Sequence, residues 1–147
     1  MSFSHFVSIK GQQLVKYEYY SGGGMTGGYH RETVKKYDDT SAVITTEKAE
    51  WHNDEPEITE YKVDIAIMDE LEKIIRKQKM NFWHRKKFSN VFIADGESMG
   101  YTFTFDDAEI DFSSQHYPAQ YRNKLQKLDE TVDAYLKNAV LLTASDN

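Results

Sequence analysis

Five of the chain's eight glycines lie in one short segment, Tyr19–Tyr29. Glycine has no Cβ atom, so its backbone adopts positive φ angles that other residues avoid, at a cost in conformational entropy on folding. The residues before the segment alternate in polarity, with Val15, Tyr17 and Tyr19 on one side of the pattern. This alternation is typical of a half-buried β-strand. The segment therefore predicts either the wide end of a β-hairpin or a loop that contacts a ligand or a partner.

The first 63 residues contain the patterns of four consecutive strands. After the first strand, a second runs from Tyr29 to Tyr37, and its polarity favours an edge position or broad exposure to water. Residues 42–51 are rich in β-branched side chains, which favours a third strand, and residues 58–63 form a short fourth. The connections are short and polar, which favours an antiparallel meander over parallel crossovers.

The periodicity then becomes helical. Ile67, Leu71 and Ile75 fall on one face of a predicted helix, and Asp64 is placed to cap its start. Alternation from Met99 to Phe105, followed by residues 110–112, predicts a hairpin. Residues 88–93 read as irregular or as a brief strand, and residues 95–96 as a turn.

The second helix is predicted to begin at Pro118, because proline is favoured in the first turn of a helix. Its apolar stripe extends to about residue 139, and we expect the tail to be frayed from about residue 142. The whole pattern predicts one α+β domain over residues 1–147. In it, an antiparallel sheet (four-strand meander, helix, hairpin, helix) carries two amphipathic helices packed on one face.

Charge and composition exclude several classes of protein. A net charge of −6 argues against nucleic-acid binding and against adhesion to anionic lipid, although residues 73–87 are locally basic, as the end of a charged helix would be. The chain has no cysteine, which excludes disulfides, a thiol nucleophile and cysteine-ligated zinc. Residues 1–7 lack the features of a signal peptide, and no segment has the length of apolar sequence that a membrane-spanning helix needs. We therefore expect a soluble, cytoplasmic protein.

The glycine segment does not match a nucleotide-binding motif. Phosphate-binding loops lead directly into a helix, whereas here the glycines precede the strand-like run from Tyr29 to Thr33. No Gly-Lys-Ser/Thr sequence occurs, and the βαβ unit of a dinucleotide fold is missing. We predict no cofactor.

Histidines, serines and carboxylates provide no recognisable catalytic or metal-binding spacing. No two of the five histidines are placed to share one helical face, so we predict no metal site. The run Ser113–Pro118 places Ser114 near His116, but hydrogen bonding to the backbone before a helix explains it more simply. The acidic pairs at residues 38–39 and 106–107 fit turns. The sequence therefore predicts no catalytic residue.

Aromatic residues make up 14% of the chain, and several lie at the ends of predicted elements. If they are exposed together, they would form an interaction patch. If they lie under the sheet edges, they belong to the packed interior instead. The residues concerned are Tyr19, Tyr20, Tyr29, Trp51, Trp83 and Tyr117.

The glycine motif and the order of elements resemble a family of small uncharacterised bacterial proteins, of the kind found in Gram-positive species. The residues that carry the resemblance are the Tyr-Ser-Gly-Gly-Gly-Met-x-Gly-Gly loop at 20–28, the helix before Trp83, the hairpin at 102–107 and the pair Ser113–Ser114. The resemblance implies no activity and no catalytic residues.

Together these patterns favour a non-enzymatic module that presents the glycine-rich aromatic loop to a protein or a small ligand. The first alternative is a small hydrolase-type enzyme that uses His116 or His30 with a carboxylate. The second is a structural dimerisation domain, so a homodimer stays open. The predicted binding residues are Tyr20, Gly23, Met25, Tyr29, His30, Trp83, His116 and Tyr117.

Overall fold

The computed structural model describes residues 5–94 and 96–144. Within these ranges the chain forms seven strands, two α-helices and a short 3-10 helix at Met80–Phe82. The strands and helices are β1 (Leu14–Gly23), β2 (Gly27–Lys36), β3 (Ser41–Trp51), β4 (Glu57–Asp64), α1 (Ala66–Lys77), β5 (Glu97–Phe105), β6 (Glu109–Ser114), α2 (Ala119–Leu136) and β7 (Val140–Ala144).

All seven strands belong to one antiparallel sheet, in the order β6-β5-β1-β2-β3-β4-β7. The predicted α+β class, with an antiparallel sheet and two helices, is confirmed. Two of the pairings join strands that are distant in the sequence. β5 pairs with β1, and β7 pairs with β4.

Strand β2 lies in the centre of the sheet, with three strands on each side. Of the two positions that its polarity favoured, an edge position or broad exposure to water, the edge position is therefore wrong. Its polar side chains have polar partners on the neighbouring strands: Arg31 is opposite Tyr20 on β1 and Glu47 on β3, and Thr33 is opposite Thr45. Polar cross-strand pairs stabilise a central strand as well as apolar ones do.

The pairing of β1 with β5 shifts between Leu14 and Lys16, as at a β-bulge. Because a bulge inserts one residue, it changes which side chains point to each face. Leu14 and Tyr17 are both buried, whereas Val15 is 41% exposed. The prediction that Val15 lies on the same side of the strand as Tyr17 and Tyr19 is therefore wrong.

The end of the chain differs from the sequence prediction. Helix α2 ends at Leu136, and residues 140–144 form β7, where we expected a frayed tail from about residue 142. Leu141 is opposite Tyr61, and the Thr143 hydroxyl donates a hydrogen bond to the Glu60 carboxylate, 2.7 Å away. An apolar run without alternation carries no clear strand signal, which is why β7 was missed. Pro118 precedes α2 as its N-cap rather than as its first residue.

Residues 86–93 have no regular structure. The predicted turn at 95–96 includes Asp95, which lies outside the described residues, as do residues 1–4 and 145–147.

One hydrophobic cluster joins the sheet to both helices. Tyr17, Val34 and Ile44 are side by side in the register and are fully buried in this cluster, so we call their side of the sheet the core face and the opposite side the outer face. The helix residues that join the cluster include Ile67, Leu71 and Ile75 of α1 and Leu125, Leu128 and Val132 of α2. Asp64 lies one residue before the N-cap of α1, which is Ile65 and makes no side-chain capping bond, but its Oδ1 accepts a hydrogen bond from the Ala66 amide at 2.8 Å.

Candidate functional site

A cavity of about 370 Å³ opens between α2 and the sheet. We call it the α2 cleft. Its walls are aromatic or apolar on most sides, and polar groups from α2 and from the β6–α2 connection lie at its rim. The lining residues are Tyr19, Met99, Tyr101, Gln115, His116, Tyr117, Arg122, Leu125, Gln126 and Asp129.

The strand register brings the two central tyrosines of the α2 cleft together. Tyr19 of β1 is directly opposite Tyr101 of β5, and their ring centroids are 5.1 Å apart. Tyr19 is two residues from Tyr17 on β1, so it lies on the same core face, because side chains two residues apart in a strand share a face. Tyr101 is opposite Tyr19 on β5 and lies on that face as well. Tyr101 is buried and Tyr19 is half-buried.

Hydrogen bonds hold two of the lining tyrosines in place. The Tyr101 hydroxyl donates to the Asp129 carboxylate, with distances of 3.2 and 3.3 Å to its two oxygens. The Tyr117 hydroxyl donates to the backbone carbonyl of Met99 at 2.7 Å. The first bond ties β5 to α2, and the second ties the start of α2 to the same strand. The shape of the α2 cleft is therefore defined before any ligand arrives.

Three carboxylates, Glu32 on β2 and Asp129 and Asp133 on α2, influence one another's ionisation through their charges, and we call them the acidic cluster. Burial, followed by the nearby charges of Asp133 and Asp129, raises the pKa of Glu32 to about 7. Burial also raises the pKa of Asp129 to about 6, partly opposed by the hydrogen bond from Tyr101. Asp129 lines the α2 cleft, and a perturbed carboxyl group in a cleft is typical of functional sites.

His30 lies two residues from Glu32 on the same face of β2. Its Nε2 is 3.9 Å from the Glu32 carboxylate, and its ring meets the ring of Tyr19 edge-on. Burial and the charge of Lys48 lower the pKa of His30. This shift disfavours the imidazolium form that would offset the negative charge of the acidic cluster.

A second, wider depression of about 820 Å³ lies at the hairpin end of the sheet. His30 and Lys48 line it from β2 and β3, and most of its other charged residues are acidic. His30 lines this depression, and its ring contacts Tyr19, which lines the α2 cleft. The acidic residues are Glu50, Asp54, Glu55, Glu57 and Glu97.

The glycine segment forms the β1–β2 hairpin, with a three-residue turn at residues 24–26. Gly23 has a φ of +92°, which favours glycine, and a Cβ atom on Gly28 would lie 2.3 Å from the carbonyl oxygen of Glu50. Local geometry therefore explains these two glycines. At the tip, Met25 is 84% exposed.

A polar aromatic stack lies beside this hairpin on the outer face. The rings of Tyr20 and Tyr29 are stacked with centroids 5.9 Å apart, and the Arg31 guanidinium lies 5.4 and 5.6 Å from the two centroids. Glu47 accepts hydrogen bonds from the Tyr29 hydroxyl and from Arg31. The members of the stack thus already have partners within the chain.

The structure brings only some of the sequence-predicted binding residues together. His116 and Tyr117 line the α2 cleft, and His30 lies on the same face of the sheet. Tyr20 and Tyr29 are on the opposite face, while Gly23 and Met25 belong to the hairpin end. Trp83 is buried in the core between Phe88, Phe112 and Tyr121, so it is not part of an exposed aromatic patch.

The Ser114–His116 pair has the simpler of the two roles considered from the sequence. The Ser114 hydroxyl donates to the carbonyl of His116 at 2.7 Å and accepts from its amide at 3.2 Å. These are bonds to the backbone before α2, not to the imidazole.

The sequence interpretation missed Glu32, Tyr101 and Asp129 as members of a site. A signal for two of them was present. Glu32 occupies the same strand phase as Val34, and Asp129 is four residues from Leu125 and three from Val132, on the buried stripe of α2. A carboxylate at a core-facing position is unusual unless it is paired or functional.

No protein-family model, curated protein or solved structure matches the chain. In the described ranges no group of three or more histidine and acidic side chains is arranged to hold a metal ion. A separate check of the helices in those ranges finds none both long and apolar enough to cross a bilayer. The bacterial family suggested by the loop motif stays a prediction.

Proposed function

We propose that the protein is a non-enzymatic binding module that holds a small organic ligand in the α2 cleft. The observation that carries the proposal is a preformed cavity of about 370 Å³ with aromatic walls and convergent polar groups. This volume falls within the range of about 300–1,000 Å³ that small-molecule sites occupy. Tyrosines fixed by hydrogen bonds lose little rotational freedom on binding, which favours affinity.

The arrangement of the helices supports this proposal. Residues of α1 and α2 join one cluster with core-face side chains of the sheet, from which we infer that both helices cover the same face. Helix α2 then covers one end of that face, and the α2 cleft is the space between the first half of α2 and the sheet. We also retain the cytoplasmic location predicted from the sequence.

A hydrolase-type enzyme remains the first alternative, and its best pair is His30 with Glu32, 3.9 Å apart. Hydrolysis of this kind needs a nucleophile and an oxyanion donor close to the base. The Ser114 hydroxyl is engaged with the backbone of His116, which favours binding over catalysis.

The proposal is tested by screening small aromatic compounds against the isotopically labelled protein by NMR. Gln126 is exposed and lines the α2 cleft, so Gln126→Trp should obstruct it. Gln120→Trp places the same bulk on an exposed part of α2 that does not line the cleft. We expect compounds that shift the amide signals of cleft residues to lose at least about tenfold in affinity, or roughly 1.4 kcal/mol, only in Gln126→Trp. Equal affinities in the two variants, or a screen with no compound bound there, would contradict the proposal.

A second candidate function is contact with a protein through the hairpin tip, favoured by the 84% exposure of Met25. Exposed methionine and tyrosine are common at recognition surfaces. A thermal-shift screen against a peptide library tests it, with Met25→Ser, Tyr20→Ala and Tyr29→Ala as variants. We expect a peptide to raise the melting temperature of the protein, and each of the three changes to reduce that increase. A peptide that stabilises the wild type and the three variants equally contradicts this candidate.

The dimerisation alternative depends on the edge strand β7, where Val140 and Leu141 are 62% and 57% exposed. Exposed strand edges pair readily with other chains. Light scattering distinguishes a mass of 17.1 kDa from twice that value. If β7 forms the interface, Leu141→Lys converts the dimer to the monomer.

A further inference from the structure

Arg122 is an exposed residue of α2 that lines the α2 cleft, and its guanidinium group has no hydrogen-bond or ion-pair partner in the described part of the chain. The other three arginines each lie close to a carboxylate: Arg31 by Glu47, Arg76 by Glu72 and Arg85 by Asp111. A planar guanidinium group is suited to binding a carboxylate through two parallel hydrogen bonds. Arg122 therefore offers the cleft an unused position for a carboxylate.

Asp129 is the second charged residue that lines the same cavity. Its carboxylate accepts a hydrogen bond from the Tyr101 hydroxyl and has no ion pair with any lysine or arginine in the described ranges. An ionised carboxylate can accept several hydrogen bonds, so it can take a further donor. The α2 cleft thus contains a cation and an anion that are not paired with each other.

Other polar side chains of the cleft are occupied by the fold. The Gln115 amide group accepts from the Ile93 amide at 2.9 Å and donates to the carbonyls of Ile93 and Gly96. The Tyr117 hydroxyl donates to the Met99 carbonyl. Hydrogen bonds with an ionised partner are stronger than those between neutral groups. The two charges are therefore the groups that a polar ligand would engage most strongly.

The positions of the two charges on α2 set the length of a ligand that reaches both. Arg122 and Asp129 are seven residues apart, which is about two turns and about 10 Å along the helix axis. For side chains that extend away from that axis, two charge-assisted hydrogen bonds of about 2.8 Å leave about 5 Å between the charged groups of the ligand. An extended dipeptide spans up to about 7 Å, whereas a single α-amino acid separates its charged groups by only about 2.5 Å.

We propose that the ligand of the α2 cleft is a dipeptide with free termini, bound with its carboxylate at Arg122 and its ammonium group at Asp129. The inference rests on the proposed binding function and adds the chemical class of the ligand. The surroundings favour this orientation over the reverse. Arg122 lies in the first turn of α2, where the helix dipole favours a negative group, and Asp129 has the acidic neighbours Glu130 and Asp133 on the same helix.

The walls of the α2 cleft indicate the kind of side chain that the dipeptide carries. The rings of Tyr19 and Tyr101 are 5.1 Å apart, and Met99 and Leu125 add apolar surface. Aromatic rings pack favourably against one another at such distances. We therefore expect a dipeptide with an aromatic residue to bind more tightly than one without.

The test compares four related ligands by isothermal titration calorimetry. They are glycyl-L-phenylalanine, its N-acetyl derivative without the ammonium group, its C-terminal amide without the carboxylate, and free L-phenylalanine. We expect the dipeptide to bind at least about tenfold more tightly than each of the other three, a difference of roughly 1.4 kcal/mol.

Matched variants assign each end of the ligand to one residue. Arg122→Gln should weaken the dipeptide about tenfold and leave the C-terminal amide within about twofold. Asp129→Asn keeps an oxygen for the Tyr101 hydroxyl, and it should weaken the dipeptide about tenfold but leave the N-acetyl derivative within about twofold. Lys127→Gln and Glu109→Gln, at exposed positions that do not line the cleft, should change none of the affinities.

The outcomes separate this inference from the proposed function. If the amide or the N-acetyl derivative binds as tightly as the dipeptide, or if Arg122→Gln and Asp129→Asn bind the dipeptide normally, the inference is wrong. Tighter binding of L-phenylalanine would also contradict it. The α2 cleft then still stands as a binding site, provided Gln126→Trp blocks the ligand that does bind. If none of the four ligands binds while other compounds occupy the cleft, the dipeptide inference is wrong and the binding function stands.

Discussion

At the scale of single residues, the protein places carboxylates where its own folding pattern calls for apolar side chains. Glu32 is on the core face of the central strand, and Asp129 is on the buried stripe of α2. Burial raises the pKa of both, to about 7 and about 6. Their ionisation therefore opposes folding, which is the reverse of the effect of a carboxylate held in an ion pair.

The first prediction concerns this pH dependence. The folded-state pKa of Glu32 lies above its unfolded value of about 4.3, so its contribution to stability is complete below that pH and is lost as pH rises through about 7. Relative to the wild type, Glu32→Gln should therefore gain on the order of 2 kcal/mol in unfolding free energy between about pH 4.5 and about pH 8. Urea denaturation measures the difference. Glu109→Gln is the control, and parallel pH profiles for the wild type and Glu32→Gln would contradict the prediction.

The second prediction compares two tyrosine hydroxyls. Tyr17→Phe removes a buried hydroxyl without a partner in the described chain, and its ring stacks on Phe103 at 5.9 Å without needing that hydroxyl. We expect it to raise the unfolding free energy by about 1 kcal/mol, because the cost of an unsatisfied polar group disappears. Tyr101→Phe loses its bond to Asp129 and should lower the same quantity by about 1 kcal/mol. Both variants are measured by urea denaturation. Changes in unfolding free energy that have the same sign for the two variants would contradict the prediction.

At the scale of elements, the geometry of the β1–β2 hairpin accounts for its glycines. The hairpin crosses the centre of the sheet, so its turn lies close to the end of β3. The Gly28 backbone approaches the Glu50 carbonyl so closely that no Cβ atom fits. A glycine-rich sequence between two strands can therefore be a packing requirement, and its presence alone does not indicate a binding loop.

The third prediction tests this packing requirement. Gly28→Ala should lower the unfolding free energy by about 3 kcal/mol, because its Cβ would lie 2.3 Å from a backbone oxygen that is held by the sheet. Gly11→Ala is the control. Gly11 has a φ of +74° but no atom within 4 Å of an added Cβ, so backbone strain alone should cost about 1 kcal/mol. The two costs are compared by thermal and urea unfolding, and a cost for Gly28→Ala no greater than that for Gly11→Ala would show that the hairpin adjusts.

At the scale of the whole molecule, one hydrophobic cluster connects both helices with six of the seven strands. Members of the cluster come from β1 to β6, and α1 and α2 also contact each other. Because no group of elements has a separate core in the described ranges, the elements depend on each other for burial. Small domains with a single core usually unfold in one step.

The fourth prediction is that unfolding is a single cooperative transition. Trp83 is buried in the cluster, whereas Trp51 is exposed at the end of β3. Trp51→Phe therefore leaves Trp83 as the only tryptophan and as a reporter of the core. Its fluorescence and the far-ultraviolet circular dichroism should change at the same urea concentration. Midpoints that differ would indicate that part of the sheet unfolds separately.

Local pattern by itself determined the secondary structure of most of the chain. Period-two alternation predicted β1 and β5, β-branched side chains predicted β3, and helical periodicity predicted α1 and α2. These features depend on neighbours within one turn or one strand, which is the distance over which a sequence pattern operates. The α+β class follows from the order of those elements.

Only the tertiary structure decided which distant segments meet. Pairing of β5 with β1 makes β2 central, the bulge after Leu14 exposes Val15, and pairing of β4 with β7 orders residues 140–144. The same long-range register brings Tyr19 and Tyr101 together under Asp129 of α2. Strand pairing and helix packing are contacts between residues far apart in the sequence, and no local periodicity encodes the choice of partner. For that reason most of the elements could be predicted from the sequence, whereas β7 and the α2 cleft could not.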